Sequence, residues 1–183
     1  SNNKSGSSGA GLHFDNITNN SRIINSIIYH NRHIGESIDA FSNSIAGNVS
    51  ATMALNSIIQ NWETYFGYEN DQNILFTDPL FIDLYGSDYH LSDYSPALGR
   101  GTVVDSLPDF DLDGLARISP EGSNPDLGCY ENNLSTRIGT LKYYVNAEVG
   151  SDSSASGSAN EPFKTINRAM NAAFDGDTVI VYP

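Results

Sequence analysis

A short motif that occurs twice constrains the fold of this chain more than any other feature. Asn25-Ser26-Ile27-Ile28 recurs as Asn56-Ser57-Ile58-Ile59, with a weaker copy, Asn43-Ser44-Ile45, between them. Each copy is a short β-branched run next to Asn, without the apolar spacing of a helix. Such strands can stack in parallel on the strand one repeat earlier, with aliphatic residues inside and Asn at the corners. The repeats therefore predict an all-β parallel β-helix, with architectural corner Asn residues and one stacked wall that contains Ile27, Ile28, Ile58 and Ile59.

The acidic composition limits the partners that the chain can bind. Nine Lys and Arg stand against 22 Asp and Glu, which gives a formal net charge of −13 in 183 residues. Nucleic acid and anionic membrane surfaces require a basic face, so neither is expected as a partner. No apolar run is long enough for a membrane span, which predicts no membrane insertion. The single cysteine, Cys129, excludes an internal disulfide and is expected to be a small buried residue.

Between Gln72 and Glu131 the sequence changes to turns rich in Pro and Asp that separate short apolar segments. Five motifs follow one another there: Asp78-Pro79-Leu80-Phe81, Tyr89-His90-Leu91, Ser95-Pro96-Ala97, Asp111-Leu112-Asp113-Gly114 with Arg117, and Asp126-Leu127-Gly128-Cys129-Tyr130-Glu131. Their order resembles the terminal module of the pectate-lyase-like β-helix repeat proteins of the bacterial surface that are called choice-of-anchor proteins. Cys129 departs from the pattern, because that family more often has Ala there. The resemblance implies a right-handed parallel β-helix in a secreted or cell-surface bacterial protein.

A second pattern near the carboxyl end resembles the start of such a β-helix. Tyr143-Tyr144-Val145-Asn146 predicts a strand, and Val179-Ile180-Val181 predicts the first rung that follows. Between them, a short capping α-helix is expected to begin near Pro162 and to end at Gly176. One face of this helix would contain Phe163, Ile166, Met170 and Ala173, with Phe163 and Met170 buried over the end of the aliphatic stack.

The order of these patterns predicts three parts. Residues 1–132 would contain the last rungs and the closing module of one β-helix, and residues 133–140 would form a linker. Residues 141–183 would contain the amino-terminal cap and first rung of a second β-helix. An order in which an end precedes a start suggests a segment of a larger tandem protein.

The acidic loop has two interpretations. Asp109, Asp111 and Asp113 place carboxylates at alternating positions, as at the beginning of a calcium-binding loop. An EF-hand loop would need a bidentate Glu where this chain has Pro120. The three carboxylates therefore hold either a calcium ion or a network of backbone donors and Arg117, and the sequence favours the network.

Aromatic side chains gather after the second repeat. Trp62, Tyr65, Phe66 and Tyr68 lie close together in sequence, and exposed rings of this kind can stack on sugars. Trp62, Tyr65 and Tyr68 are therefore candidate glycan contacts. The alternative, which the sequence favours, is that the segment folds back and buries the rings.

Two functional hypotheses follow. The first is a non-catalytic extracellular segment, structural or adhesive, whose partners are flanking β-helix modules, copies of itself joined through solenoid ends, or a polysaccharide. The second is a polysaccharide lyase or glycoside hydrolase whose active rungs lie mostly outside these residues. The nearest basic candidate for such chemistry is Tyr29-His30-Asn31-Arg32-His33, and its structural interpretation is a solvated corner. Because one such segment is not a line of catalytic groups, we expect the first hypothesis to hold, with no catalytic residue and no cofactor other than the calcium alternative.

Overall fold

The computed structural model describes residues 3–5, 11–14, 22–33, 45–47, 54–60, 73–152, 155, 157–174 and 176–183. The strands are short, and in chain order they are β1 Lys4–Ser5, β2 Leu12–Phe14, β3 Ile23–Ile24, β4 Ile27–Ile28, β5 Arg32–His33, β6 Ile45–Gly47, β7 Ala54–Leu55, β8 Ser57–Ile59, β9 Ile74–Leu75, β10 Phe81–Asp83, β11 Asp88–Leu91, β12 Lys142–Val145 and β13 Thr178–Val181. One helix, α1, spans Ile166–Ala172 in these ranges, and its seven residues are too few to cross the hydrocarbon core of a membrane.

The strands form small separate sheets, and the prediction of a right-handed parallel β-helix is therefore wrong. Among the described strands, five sheets contain two strands each, and only β4, β8 and β9 form a sheet of three. Most pairs are parallel, but β10 and β11 pair antiparallel. In a β-helix each rung continues the ladder of the rung before it, whereas among the described strands only β8 has a partner on both sides. The described residues thus contain parallel pairs but no solenoid.

The pairing of the two repeat copies is nevertheless the one that the sequence predicts. Strands β4 and β8 run parallel, with Ile27 opposite Ile58 and Ile28 opposite Ile59. The Ser26 backbone N–H donates to the Ser57 hydroxyl at 3.1 Å, across 31 positions of sequence. Equivalent motif positions therefore meet in register, and among the described strands the ladder extends by one more strand, β9.

The sheet of β4, β8 and β9 buries both of its faces. Ile28 and Ile59 belong to one apolar cluster, together with Ile23, Ala54, Ile74 and Phe76. Ile58, on the opposite face, belongs to a second cluster with Leu75, Leu91, Ala97, Leu98 and Leu127. Successive residues of a strand point to opposite faces, which explains the division. The repeats predicted that these Ile side chains form one stacked wall, but the sheet buries them on its two opposite faces. Residues between 91 and 127 cover the second face.

The corner Asn residues have the architectural role that was predicted, but their partners are different. Asn25 and Asn56 have positive φ values of 51° and 44°, in the left-handed region that Asn tolerates better than most residues. The side-chain amide of Asn25 donates to the Thr102 carbonyl at 2.8 Å and accepts from the Thr102 N–H at 2.9 Å. Asn56 donates to the Arg100 carbonyl at 2.9 Å. Both corners therefore bind the passing segment 100–102 rather than each other.

The two strands predicted near the carboxyl end are confirmed. Strands β12 and β13 pair in parallel, with Tyr143 opposite Val179 and Val145 opposite Val181. Phe163 forms an isolated parallel bridge to Val145 on the other edge of β12. Its ring is 1% exposed and packs against Tyr143, so its predicted burial is also confirmed.

The helical face predicted for this region is wrong. The helix begins after the N-cap Thr165, so Phe163 precedes it and is positioned by strand-type hydrogen bonds to Tyr144 and Asn146 at 2.8 Å. The buried residues of α1 are Arg168, Ala169 and Ala172, and Met170 is 59% exposed. Small Ala side chains let the helix backbone lie close to the strands, which turns Met170 to solvent.

Residues 133–140, predicted to form a linker, contact the chain on both sides. The Ile138 N–H donates to the Asp93 carbonyl at 2.8 Å. The Arg137 guanidinium lies 2.6 Å from the Asp177 carboxylate, with both side chains buried. The carboxyl-terminal strands are therefore anchored to the preceding part by a buried ion pair.

The contrast between Phe163 and Met170 generates a stability prediction. Replacing Phe163 by Ala should lower the free energy of unfolding by about 3–5 kcal/mol, because the change leaves a cavity in a fully buried site. Met170→Ala, the matched control on an exposed side chain, should change it by no more than about 0.5 kcal/mol. Chemical denaturation of the two variants tests this, and equal effects would contradict the assigned burial.

Candidate functional site

The acidic loop closes on itself through backbone hydrogen bonds. The Arg117 N–H donates to the Asp109 carbonyl at 3.0 Å, and the Asp111 N–H donates to the Leu115 carbonyl at 2.8 Å. Gly114 has the positive φ of 84° that this tight turn requires. Local bonds therefore determine where the three predicted metal ligands lie.

The Asp111 carboxylate is the centre of the loop. Its Oδ1 accepts hydrogen bonds from the N–H groups of Asp113 and Leu115 at 2.9 and 2.8 Å. Its Oδ2 accepts from the Glu131 N–H at 2.8 Å, which joins the loop to a segment 20 positions away. Partial burial raises the pKa of Asp111, but these amide donors outweigh burial and hold the pKa below its ordinary value. The carboxylate is thus charged and already bound to backbone donors.

The other two carboxylates of the predicted metal site point elsewhere. Asp113 contacts His90, and Asp109 is exposed. In the part of the chain that the structure describes, no group of three or more His, Cys, Asp or Glu side chains is arranged to hold a metal ion. The geometry favours the backbone-donor alternative, although Arg117 binds a different carboxylate. Calcium at Asp109, Asp111 and Asp113 stays a prediction that a titration of thermal unfolding can test.

His90 joins the β10–β11 hairpin to the acidic loop. Its Nδ1 lies 2.6 Å from Asp88 Oδ1, and its Nε2 lies 2.7 Å from Asp113 Oδ2. The imidazole also stacks on the Tyr130 ring, with centroids 3.9 Å apart. Hydrogen bonds to Asp113 and to Asp88 raise the pKa of His90, because both carboxylates favour the cation with two N–H donors.

A buried group of charges lies behind this surface. Arg117 Nε is 3.4 Å from Glu131 Oε1, and the two side chains are 7% and 0% exposed. The Arg117 guanidinium also donates to the Gly128 carbonyl at 3.0 Å. Asp126 accepts from the N–H groups of Gly99 and Asn132 at 2.6 and 2.7 Å, and its own N–H donates to Glu131. We call Arg117, Asp126 and Glu131 the buried charge triad.

Burial raises the pKa values of the two acidic members of the triad toward neutral pH. Desolvation and then the neighbouring Asp126 raise the pKa of Glu131 to about 7, against the opposing effects of backbone donors and Arg117. Desolvation also raises the pKa of Asp126 to about 6, although the Asn132 and Gly99 amides oppose it. The two acids and one base therefore do not carry their full charges together near neutral pH.

A cleft of about 320 Å³ separates the Asn25 corner from the acidic loop. Its walls combine apolar residues such as Ile24, Leu107, Phe110 and Leu112 with the polar residues Asn25, Ser26, Ser106, Asp111 and Arg117. Cys129 is exposed, which contradicts its predicted burial. The preceding Gly128 makes the inward hydrogen bonds, to the buried Asn25 and Arg117, whereas Cys129 lines the open cleft.

The remaining predicted sites are only partly described. Trp62, Tyr65 and Tyr68 lie outside the described residues. In the basic segment 29–33, His30 and Asn31 are 9% and 1% exposed, so this corner is buried rather than solvated as expected. The side chains of residues 32 and 33 are outside the described part.

Comparisons with known proteins identify no relative of this chain. No protein-family model, no curated protein and no solved structure matches it. Functional proposals therefore depend on the chemistry of the residues themselves.

Two groups of charged residues were not recognised as functional groups from the sequence. Asp88 and His90 are two positions apart in β11, so their side chains point to the same face, and this spacing was a usable signal. The buried triad offered no such signal, because Arg117 meets Asp126 and Glu131 only after the loop has folded.

The shifted acidity of the triad predicts a pH-dependent stability. The raised pKa of Glu131 means that the folded chain retains a proton which the unfolded chain has already released. Its contribution to stability is therefore complete below about pH 4.5 and is lost as the pH rises through about 7. Relative to Glu131→Gln, the wild-type chain should lose up to about 3 kcal/mol of unfolding free energy between these pH values.

Unfolding of both proteins across this pH range provides the measurement. Because Glu131 and Asp126 titrate as a pair, the difference between wild type and variant reports both acids. Glu121→Gln, on an exposed carboxylate, controls for the loss of one negative charge. A wild-type curve parallel to that of Glu131→Gln would contradict the assignment.

Proposed function

We propose that this chain is a non-catalytic segment of a larger extracellular protein, with a structural or adhesive role. The observation that carries the proposal is that its polar side chains bind its own distant backbone. Asp126 joins a residue 27 positions away, and Asn25 joins one 77 positions away. Carboxylates and amides bound in this way stabilise the segment and are not free to transfer protons to a substrate.

The proposed location is the surface or exterior of a bacterial cell. The strongly acidic composition and the Asn-, Ser- and Gly-rich sequence support it. The ordered motifs between Asp78 and Glu131, which resemble the closing module of bacterial surface proteins, support it as well.

The proposed partner is a flanking module or a second copy of the chain. Strand β13 pairs with β12 and, among the described strands, with no other. Val181 and Tyr182 at this edge are 52% and 42% exposed. An apolar strand with an open edge is a template for a strand of another chain, so association at β13 fits a module that works within an assembly.

An activity assay tests the non-catalytic role. The purified chain should release neither unsaturated sugar products nor new reducing ends from acidic and neutral polysaccharides, because its acidic groups are committed to internal bonds. Release of either product, retained after further purification, would favour the lyase or hydrolase alternative.

Sedimentation over a concentration series tests the assembly. The wild-type chain should show a sedimentation coefficient that increases with concentration, and Val181→Lys should abolish the increase. Ile82→Lys removes an equally exposed apolar side chain from the β10–β11 hairpin and should leave association intact. A wild-type chain that stays monomeric would overturn association at β13.

A further inference from the structure

Two arginines lie unusually close together in a chain that has few cations. Only nine Lys and Arg are present against 22 acidic residues. Two of them, Arg100 and Arg137, contact the same Phe174 ring, with guanidinium carbons 4.4 and 4.9 Å from its centroid. Two positive charges that lie this close repel each other unless nearby anions compensate them.

Among the described residues, Asp177 is the carboxylate that pairs with Arg137, and it already accepts three hydrogen bonds. Asp177 Oδ1 accepts from the Arg137 guanidinium at 2.6 Å and from the Leu141 N–H at 2.7 Å. Its Oδ2 accepts from the Phe174 N–H at 2.9 Å. Among the described contacts, the Asp177 carboxylate therefore binds Arg137 and the backbone but not Arg100.

The arginines retain unused donors. The Arg137 side chain is 8% exposed, and its Nη1 is buried without a hydrogen-bond partner in the described part of the chain. Arg100 is exposed. Within the described part of the chain, its guanidinium contacts the Phe174 ring but no carboxylate. An orphaned buried donor costs free energy that a bound acceptor would recover, and the exposed Arg100 leaves a route from solvent.

We propose that Arg100 and Arg137 form a binding site for a carboxylate group, such as that of an acidic sugar, next to Phe174. Asp177 neutralises one of the two guanidinium groups, and a singly charged carboxylate would neutralise the other. The planar geometry of a carboxylate also matches the guanidinium donors. Desolvation and the neighbouring Arg137 lower the pKa of Arg100, and the attraction of a bound anion would favour its charged form against both effects. The acidic-sugar identity rests on the proposed adhesive role, whereas the carboxylate site itself does not.

Nuclear magnetic resonance titrations of the full chain test the site. Acetate, added at constant ionic strength against chloride, should shift the side-chain N–H signals of Arg100 and Arg137. Arg100→Gln should weaken acetate binding roughly tenfold or more, since a hydrogen bond to a charged group contributes that much. Lys164→Gln, which removes one positive charge from an exposed position, should bind as the wild type does.

Two further ligands distinguish the source of the carboxylate. A galacturonate oligosaccharide that binds more tightly than acetate, with the same dependence on Arg100, supports an acidic sugar as the ligand. Preference for poly-glutamate over the oligosaccharide would overturn the sugar assignment. Equal shifts in wild type and Arg100→Gln, or no shift with acetate, would overturn the site while leaving the non-catalytic role intact.

Discussion

The buried charge triad is the interaction on which the rest of this structure depends. Arg117, Asp126 and Glu131 come from two loops without regular secondary structure, and no long strand holds either loop in place. Through its partners, the triad fixes the segments near Gly99, Gly128 and Asn132. The Gly128 N–H in turn donates to the Asn25 carbonyl at 2.9 Å, so the triad is linked directly to the first repeat motif.

This arrangement explains how very short strands support an ordered fold. The sheet of β4, β8 and β9 buries apolar residues on both faces, and its second face needs a cover. Leu91, Leu98 and Leu127 provide that cover, but Leu98 and Leu127 lie on irregular segments whose backbone groups need partners. Side chains of Asp, Glu and Asn supply those partners, which gives the acidic composition a structural purpose.

Local and repeated features were the most predictable from the sequence. The two Asn-Ser-Ile-Ile copies correctly predicted the pairing of β4 with β8, and the β-branched run at 179–181 correctly predicted β13, which begins one residue earlier. The continuous β-helix was wrong, because similar motifs fix a local register without requiring that a ladder continue through every neighbouring strand. The helical face was wrong because Thr165 caps the helix after Phe163. The contact between Arg137 and Asp177, which are 40 positions apart by their numbering, has no local pattern that could have predicted it.

Removal of one member of the triad tests most directly whether these acidic residues are structural. Asp126→Ala would leave the partly buried N–H groups of Gly99 and Asn132 without their acceptor and would remove a negative charge close to Arg117. The unfolding free energy should decrease by roughly 3 kcal/mol or more, because two hydrogen bonds to a charged acceptor are lost. Asp105→Ala, at an exposed position, should change it by no more than about 0.5 kcal/mol. An Asp126→Ala chain as stable as the Asp105→Ala chain would contradict the structural role of the triad.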